Sequence, residues 1–266
     1  MTVPAVVEVG RGTVAATAGV VGLLVGSFLN VVAFRVPRRL SVVEPRSFCP
    51  HCQTPIGALD NVPLLSWVVL RGRCRHCGAP IAPRYPLVEL AGGVLFAAVG
   101  WGVGPHGAVV GLCVLAGTLL ALSVIAVDGE ALPVSVAAVG TLLAVVALVV
   151  AGAVDRAWGS VVAVLGATVV AGTLVELSRR AAGDTWRSAA PALLPAAAAV
   201  GWLSGLYVAE GVAGTGMGAL ALWLLERRHT AAASTRGARV ALTLGLAFGA
   251  AAATATALAL GAGAGR

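Results

Sequence analysis

The chain has 266 residues, of which 59% are hydrophobic and 11% charged, and it carries a net charge of +7. A soluble globular domain carries about 25% charged residues, so the composition excludes an ordinary water-soluble domain and points to a chain that faces lipid. All 18 basic residues are arginine, with no basic stripe interleaved with aromatics, so the charge reads as a membrane-orientation signal and no nucleic-acid partner is expected.

A membrane-spanning helix needs about 20 apolar residues. Residues 12–34 carry no charge and form the first predicted span. This stretch is long for a cleaved signal peptide, and the arginines gather after it, at Arg35, Arg38 and Arg39, with Arg11 alone before it. Residues 37–86 differ sharply: they hold eight of the 13 prolines and four of the 5 cysteines, as a folded polar insert does. From Leu90 to Val127 no Asp, Glu or Arg occurs, and Gly104-Pro105-His106 breaks the run into two spans. Residues 131–154 and 157–175 give one span each, 188–225 two, and 240–265 the last. The expected fold is all-α: a polytopic membrane protein of about eight transmembrane helices. Its parts are a first helix (1–36), a small cytosolic four-cysteine insert (37–86) and a seven-helix membrane domain (87–266).

With the insert inside, 15 of the 18 arginines fall on inner segments, and only Arg11, Arg156 and Arg266 fall outside. This is the positive-inside asymmetry, and it places both termini outside.

The insert contains Cys49-Pro-His-Cys52 and Cys74-Arg-His-Cys77, with 21 residues between the pairs. Each CxxC turn can aim two thiolates at one ion, and two turns complete a tetrahedral zinc site. The alternative is two disulfides, which a cytosolic location disfavours because thiols stay reduced there. Cys49, Cys52, Cys74 and Cys77 are therefore the expected ligands of a structural zinc. His51 and His76 lie inside the pairs and are competing ligand candidates, with exposure the expectation, and Cys113 is expected to pack inside a helix.

Few carboxylates occur, and those at helix ends draw attention, because ionisable groups at membrane depth are costly. Asp128 follows a long apolar run, and Asp184 lies in Ala181-Ala-Gly-Asp184; the topology brings both to the inner face. Two converging carboxylates can share a proton and activate a water between them. The plainer alternative is that each caps a helix.

The chain resembles the bacterial prepilin peptidases, bifunctional leader peptidases and N-methyltransferases. The resemblance is carried by Gly26-Ser-Phe-Leu-Asn-Val-Val32, Arg35-Val-Pro-Arg38, the first cysteine pair and Asp60-Asn-Val-Pro-Leu-Leu-Ser-Trp67. It continues through Arg71-Gly-Arg-Cys-Arg-His-Cys-Gly-Ala-Pro-Ile-Ala-Pro-Arg-Tyr-Pro-Leu-Val-Glu-Leu90. It implies a multi-pass protein of the bacterial cytoplasmic membrane whose partners are pilin or pseudopilin precursors and the lipid bilayer. It implies catalysis by Asp128 and Asp184, leader cleavage at the cytosolic face, and methylation of the new N-terminus from S-adenosylmethionine. Gly72 and Glu89 are then candidates for the methyl-donor site, with pairing to Arg84 as a second possibility for Glu89. The catalytic half departs from the family pattern. Leu132-Pro133 follows Asp128 two residues early, Val134 stands where the family has Asp, and Ala181 and Trp186 replace a Gly and a Lys around Asp184. A relative that binds pilin-like substrates, or only methylates them, is the alternative expectation. Ser27 and Asn30 are polar residues inside the first span, expected to serve packing or a substrate pocket.

Overall fold

A computed structural model describes residues 10–128 and 130–181. The predicted spans at 188–225 and 240–265, and Asp184, lie outside the described residues. Within them the chain is helical: α1 (Arg11–Arg35), a 3-10 turn (Ala58–Asn61), the short α2 (Leu65–Val69), α3 (Arg84–Val103), α4 (Ala108–Val127), α5 (Val134–Val154) and α6 (Trp158–Ala181). Four of these, α1, α3, α4 and α5, are long and apolar enough to cross a membrane.

The helices start and stop where local chemistry dictates. α1 ends at Arg35 with Val36 as its C-cap, and Pro37 then has no N–H to extend it. α3 ends on Gly104 at φ +73, a left-handed conformation that glycine adopts without a Cβ penalty. α5 begins after Pro133, whose extended backbone sets the turn from α4.

α1 packs chiefly on α3 through a seam of glycines. Gly22, Gly26, Leu29, Asn30 and Ala33 are the buried residues of α1; Val88, Gly92, Gly93, Phe96 and Gly100 are those of α3. A Cβ on Gly26 would lie 2.8 Å from the Glu89 Cα, and one on Gly100 would lie 2.9 Å from the Val14 carbonyl oxygen. Small residues let helix backbones approach this closely where lipid supplies no hydrophobic drive. α4 sits at the centre, with most of its length buried. Its N-terminal half joins α5 in a cluster of Leu112, Leu115, Ala144 and Leu148, and its C-terminal half packs Leu122, Ile125 and Ala126 around Ala33, Leu132 and Ala137. Because α1 ends and α3 begins at the same end of the bundle, the seam also fixes both roots of the polar insert.

Candidate functional site

The insert is built from one local design used twice. Cys49 N–H donates to the Thr54 carbonyl at 3.0 Å, Gln53 N–H to Cys49 at 2.8 Å and Ile56 N–H to Ser47 at 2.8 Å. Twenty-five residues later Cys74 N–H donates to Ala79 at 2.8 Å, Gly78 N–H to Cys74 at 2.9 Å and Ile81 N–H to Gly72 at 2.7 Å. Antiparallel bridges join Phe48 to Pro55 and Arg73 to Pro80. Each turn needs positive φ at the residue after its second cysteine, supplied by Gln53 (φ 58) and Gly78 (φ 70).

The two turns face each other. The Sγ atoms of Cys49, Cys52, Cys74 and Cys77 all lie within 4.8 Å of one another, and Cys49 Sγ is 3.8 Å from Cys77 Sγ. A tetrahedral ion with bonds of about 2.3 Å to sulfur sets sulfurs about 3.8 Å apart, whereas a disulfide needs about 2.05 Å. All four cysteines are free, so the disulfide alternative fails. The donor set fits a metal. The Thr54 hydroxyl and then its backbone N–H hold the Cys52 thiol down to about 6. Backbone N–H donors of Cys77 and His76 lower Cys74. The Ala79 N–H pulls Cys77 down, but burial and the neighbouring sulfurs push it up to about 11. Without a cation, four sulfurs this close cannot all carry charge. His51 and His76 are exposed and stand outside the thiol group, and Cys113 is buried in α4, both as expected.

The segment between the cysteine pairs is clipped to this centre. Arg75 grips Asp60 with Nε at 3.0 and 2.9 Å from its two oxygens and Nη2 at 2.6 Å from Oδ1. The guanidinium holds the Asp60 carboxyl below the usual carboxylate range. Trp67 donates from Nε1 to the Ile81 carbonyl at 3.2 Å. Its ring covers Gly72, whose φ is +65 and whose Cβ, if present, would lie 3.0 Å from the indole. Gly72 is therefore accounted for by a tight turn under an aromatic ring.

Asp128, Glu130 and Glu89 gather at the roots of the insert. Asp128 caps the C-terminus of α4, and its Oδ1 lies 2.6 Å from Nη1 of Arg84, the first residue of α3. A carboxylate at a helix C-terminus meets the negative end of the helix dipole; the guanidinium offsets that. The Asp128 side chain is only 18% exposed. Beside it, Arg38 pairs with Glu130 at 3.0 Å and lies 4.4 Å over the Phe34 ring. Arg35 closes the loop after α1 by donating to the Ser41 carbonyl at 2.9 Å and the Pro45 carbonyl at 2.7 Å. Glu89 does not pair with Arg84. Its Oε2 accepts the Leu64 N–H at 2.8 Å, at a left-handed φ of 60 that a leucine seldom adopts. Asn30 donates from Nδ2 to the Tyr85 carbonyl at 3.3 Å and to Gly26 at 3.4 Å; its Oδ1 is buried and meets no donor among the described residues.

Two features escape a reading by cysteine spacing alone. One is the repeat Arg-x-x-Cys-x-His-Cys-x-x-Pro-Ile at 46–56 and 71–81, visible once the chain is compared with itself at an offset of 25 residues. The other is Arg84 as the partner of Asp128, 44 residues away, for which the sequence carries no pairwise signal.

These observations define a class: a helical membrane protein whose bundle bears a four-thiol metal-type centre and an arginine-paired aspartate at one end. Comparison with known proteins makes this specific. Residues 20–103 match the family described as Bacterial Peptidase A24 N-terminal domain. A prepilin leader peptidase/N-methyltransferase of Myxococcus xanthus (strain DK1622) is 50% identical over 123 residues, 46% of this chain and 37% of that protein. The namesake of Klebsiella pneumoniae is 45% identical over 118 residues, 42% of this chain and 52% of its own length. That of Burkholderia pseudomallei (strain 1026b) is 42% identical over 139 residues, 43% of this chain and 45% of its own length. No solved structure matches. The chain is thus related to the prepilin leader peptidases/N-methyltransferases, with residues 20–103 similar to the A24 N-terminal domain, and it spans about half the length or less of the relatives just named.

Proposed function

We infer that the chain is a prepilin leader peptidase of the aspartic type. The observation that carries this is Asp128, held by Arg84 at the end of α4 beside the roots of the A24 insert. A substrate with a basic leader and an apolar stem would lie with its stem in the bilayer and its leader at this end. Asp128 and Asp184 would flank a water. The ionised carboxylate takes a proton as the water oxygen attacks the scissile carbonyl, and the protonated one donates to the carbonyl oxygen; the C–N bond then breaks and the amine leaves with a proton. The ion in the four-thiol centre is proposed to be zinc, in a structural role, since four sulfurs leave no open position for chemistry. The arginine bias and free thiols support placing this end at the cytosolic face of the bacterial inner membrane.

The relatives' names include N-methyltransferase, and we extend that activity to the new N-terminus with S-adenosylmethionine as donor. With Glu89 committed to Leu64 and Gly72 lying under Trp67, these residues would shape the donor site through the turns they hold. No observation favours a relative that binds pilin-like chains without processing them. The test is the purified chain with a prepilin and added S-adenosylmethionine in proteoliposomes, followed by mass spectrometry of the pilin N-terminus. Loss of the leader plus one added methyl group is the expected product; an intact leader sinks the reading.

A further inference from the structure

The insert shows apolar surface where an aqueous domain has no use for it. On α2, Leu65, Val68 and Val69 are 65%, 64% and 73% exposed. Their i, i+3, i+4 spacing puts them on one face of the helix. The opposite side is already committed, with Trp67 lying on Gly72 and bonded to the Ile81 carbonyl.

The height of α2 along the bundle is fixed by a single bond. Leu64, immediately before α2, gives its N–H to Glu89. Glu89 lies five residues into α3, about 7–8 Å along the axis from the helix start at 1.5 Å per residue. No charged side chain follows it until Asp128. At this level α3 itself turns Leu87, Leu90 and Val94 outward, as a lipid-facing surface does. α2 is therefore tied to α3 at the depth of its first apolar turns, with its own aliphatic face left open. Arg71 and Arg73 follow directly and are exposed. Aliphatic residues beside long cationic side chains suit the acyl–headgroup boundary, where the stems lie along apolar matter and the guanidinium groups reach phosphates.

We propose that α2 is an interfacial anchor. Leu65, Val68 and Val69 enter the apolar edge of the bilayer on the insert side, and Arg71 and Arg73 bind anionic headgroups. The metal centre is then held against the membrane surface rather than free in solution. This does not depend on the peptidase reading.

The test uses the full chain in vesicles of phosphatidylethanolamine and phosphatidylglycerol. A nitroxide amino acid is introduced by codon reassignment, so the native cysteines stay in place, at Val68, Val69, His51 or Val94 in turn. Labels at such exposed positions do not disturb packing. Collision with oxygen is compared with collision with a water-soluble nickel chelate. Val68 and Val69 are expected to show an oxygen-to-nickel ratio several-fold above that of His51 and towards that of Val94, falling when Arg71 and Arg73 are both changed to Gln. A ratio equal to that of His51 overturns the proposal. So does spin–spin broadening between chains at Val68, which would make the face a contact between copies, or shielding that appears only when a prepilin is added, which would make it a substrate contact.

Discussion

Gly22→Ala tests the seam that holds the site together. A Cβ at Gly22 would fall inside contact with the Gly92 carbonyl oxygen and lie 2.8 Å from both the Gly92 carbonyl carbon and the Phe96 Cβ. Ordinary contact begins near 3.4 Å, so the shortfall is about 0.6 Å against carbon and larger against oxygen. The opposing atoms are mostly backbone, so relief requires α3 to retreat as a body. Overpacking of this kind costs about 1–3 kcal/mol. Alanine also gains helix propensity over glycine, about 0.5–1 kcal/mol. Gly12→Ala, in the first turn of the same helix, adds a Cβ that meets nothing, since nothing among the described residues lies within 4 Å of it. The difference between the two variants is the packing cost of about 1–3 kcal/mol, less the larger propensity gain at the mid-helix Gly22. The assay is denaturant unfolding of the full chain in detergent, followed by circular dichroism. Gly22→Ala should unfold earlier than wild type or Gly12→Ala, and it should slow leader processing, because α1 and α3 carry Arg38 and Arg84 to their acidic partners. Equal stability of the two variants refutes the close-packed seam.

Three further outcomes follow from the insert and its roots. Within residues 37–83 only Cys49 and Pro63 are buried, so the ion must supply most of the folding energy, on the order of 10–16 kcal/mol for structural zinc. Chelation, or Cys77→Ser, should release about one metal per chain and open the insert to trypsin at Arg71 and Arg73 while helix content persists. Arg84→Met should cost about 1 kcal/mol, as for a partly exposed pair, and depress processing, with Arg84→Lys recovering part of the loss because it restores the charge but not the fork; equal processing by all three would remove Arg84 from the site. Asp60, held below the usual range by Arg75, stabilises the insert at pH above its unfolded value of about 3.9, and that contribution is lost as pH falls through the lower folded value. Asp60→Asn should therefore flatten the acid limb of insert unfolding, measured by tryptophan fluorescence between mildly acidic and strongly acidic buffers.

What the sequence made legible has a physical reason in each case. Charge-free runs gave α1, α3, α4 and α5 because lipid tolerates nothing else, and Gly104 marked the α3–α4 turn through its backbone freedom. The cysteine spacing gave the metal-type centre because ligand geometry is local. Hidden were relations between distant residues. Nothing in the Pro-Leu-Val-Glu run shows that Glu89 bonds the backbone of Leu64 rather than Arg84, or that Arg84 turns to Asp128 instead. The glycines of α1 and α3 were visible as composition, but their facing register, Gly22 against Gly92, emerges only from the packed pair. α2 is too short for periodicity to reveal, and its aliphatic residues read like part of a core until their exposure is known.

The most direct test of the central claim is leader processing by wild type, Asp128→Asn and Asp184→Asn, each co-expressed with a prepilin and each shown to be present in the membrane at equal level. Asparagine keeps the shape of the side chain and removes the charge and the proton exchange. The account predicts a shortened pilin with wild type and an unprocessed one with either variant. Processing by Asp128→Asn at the wild-type rate would contradict it.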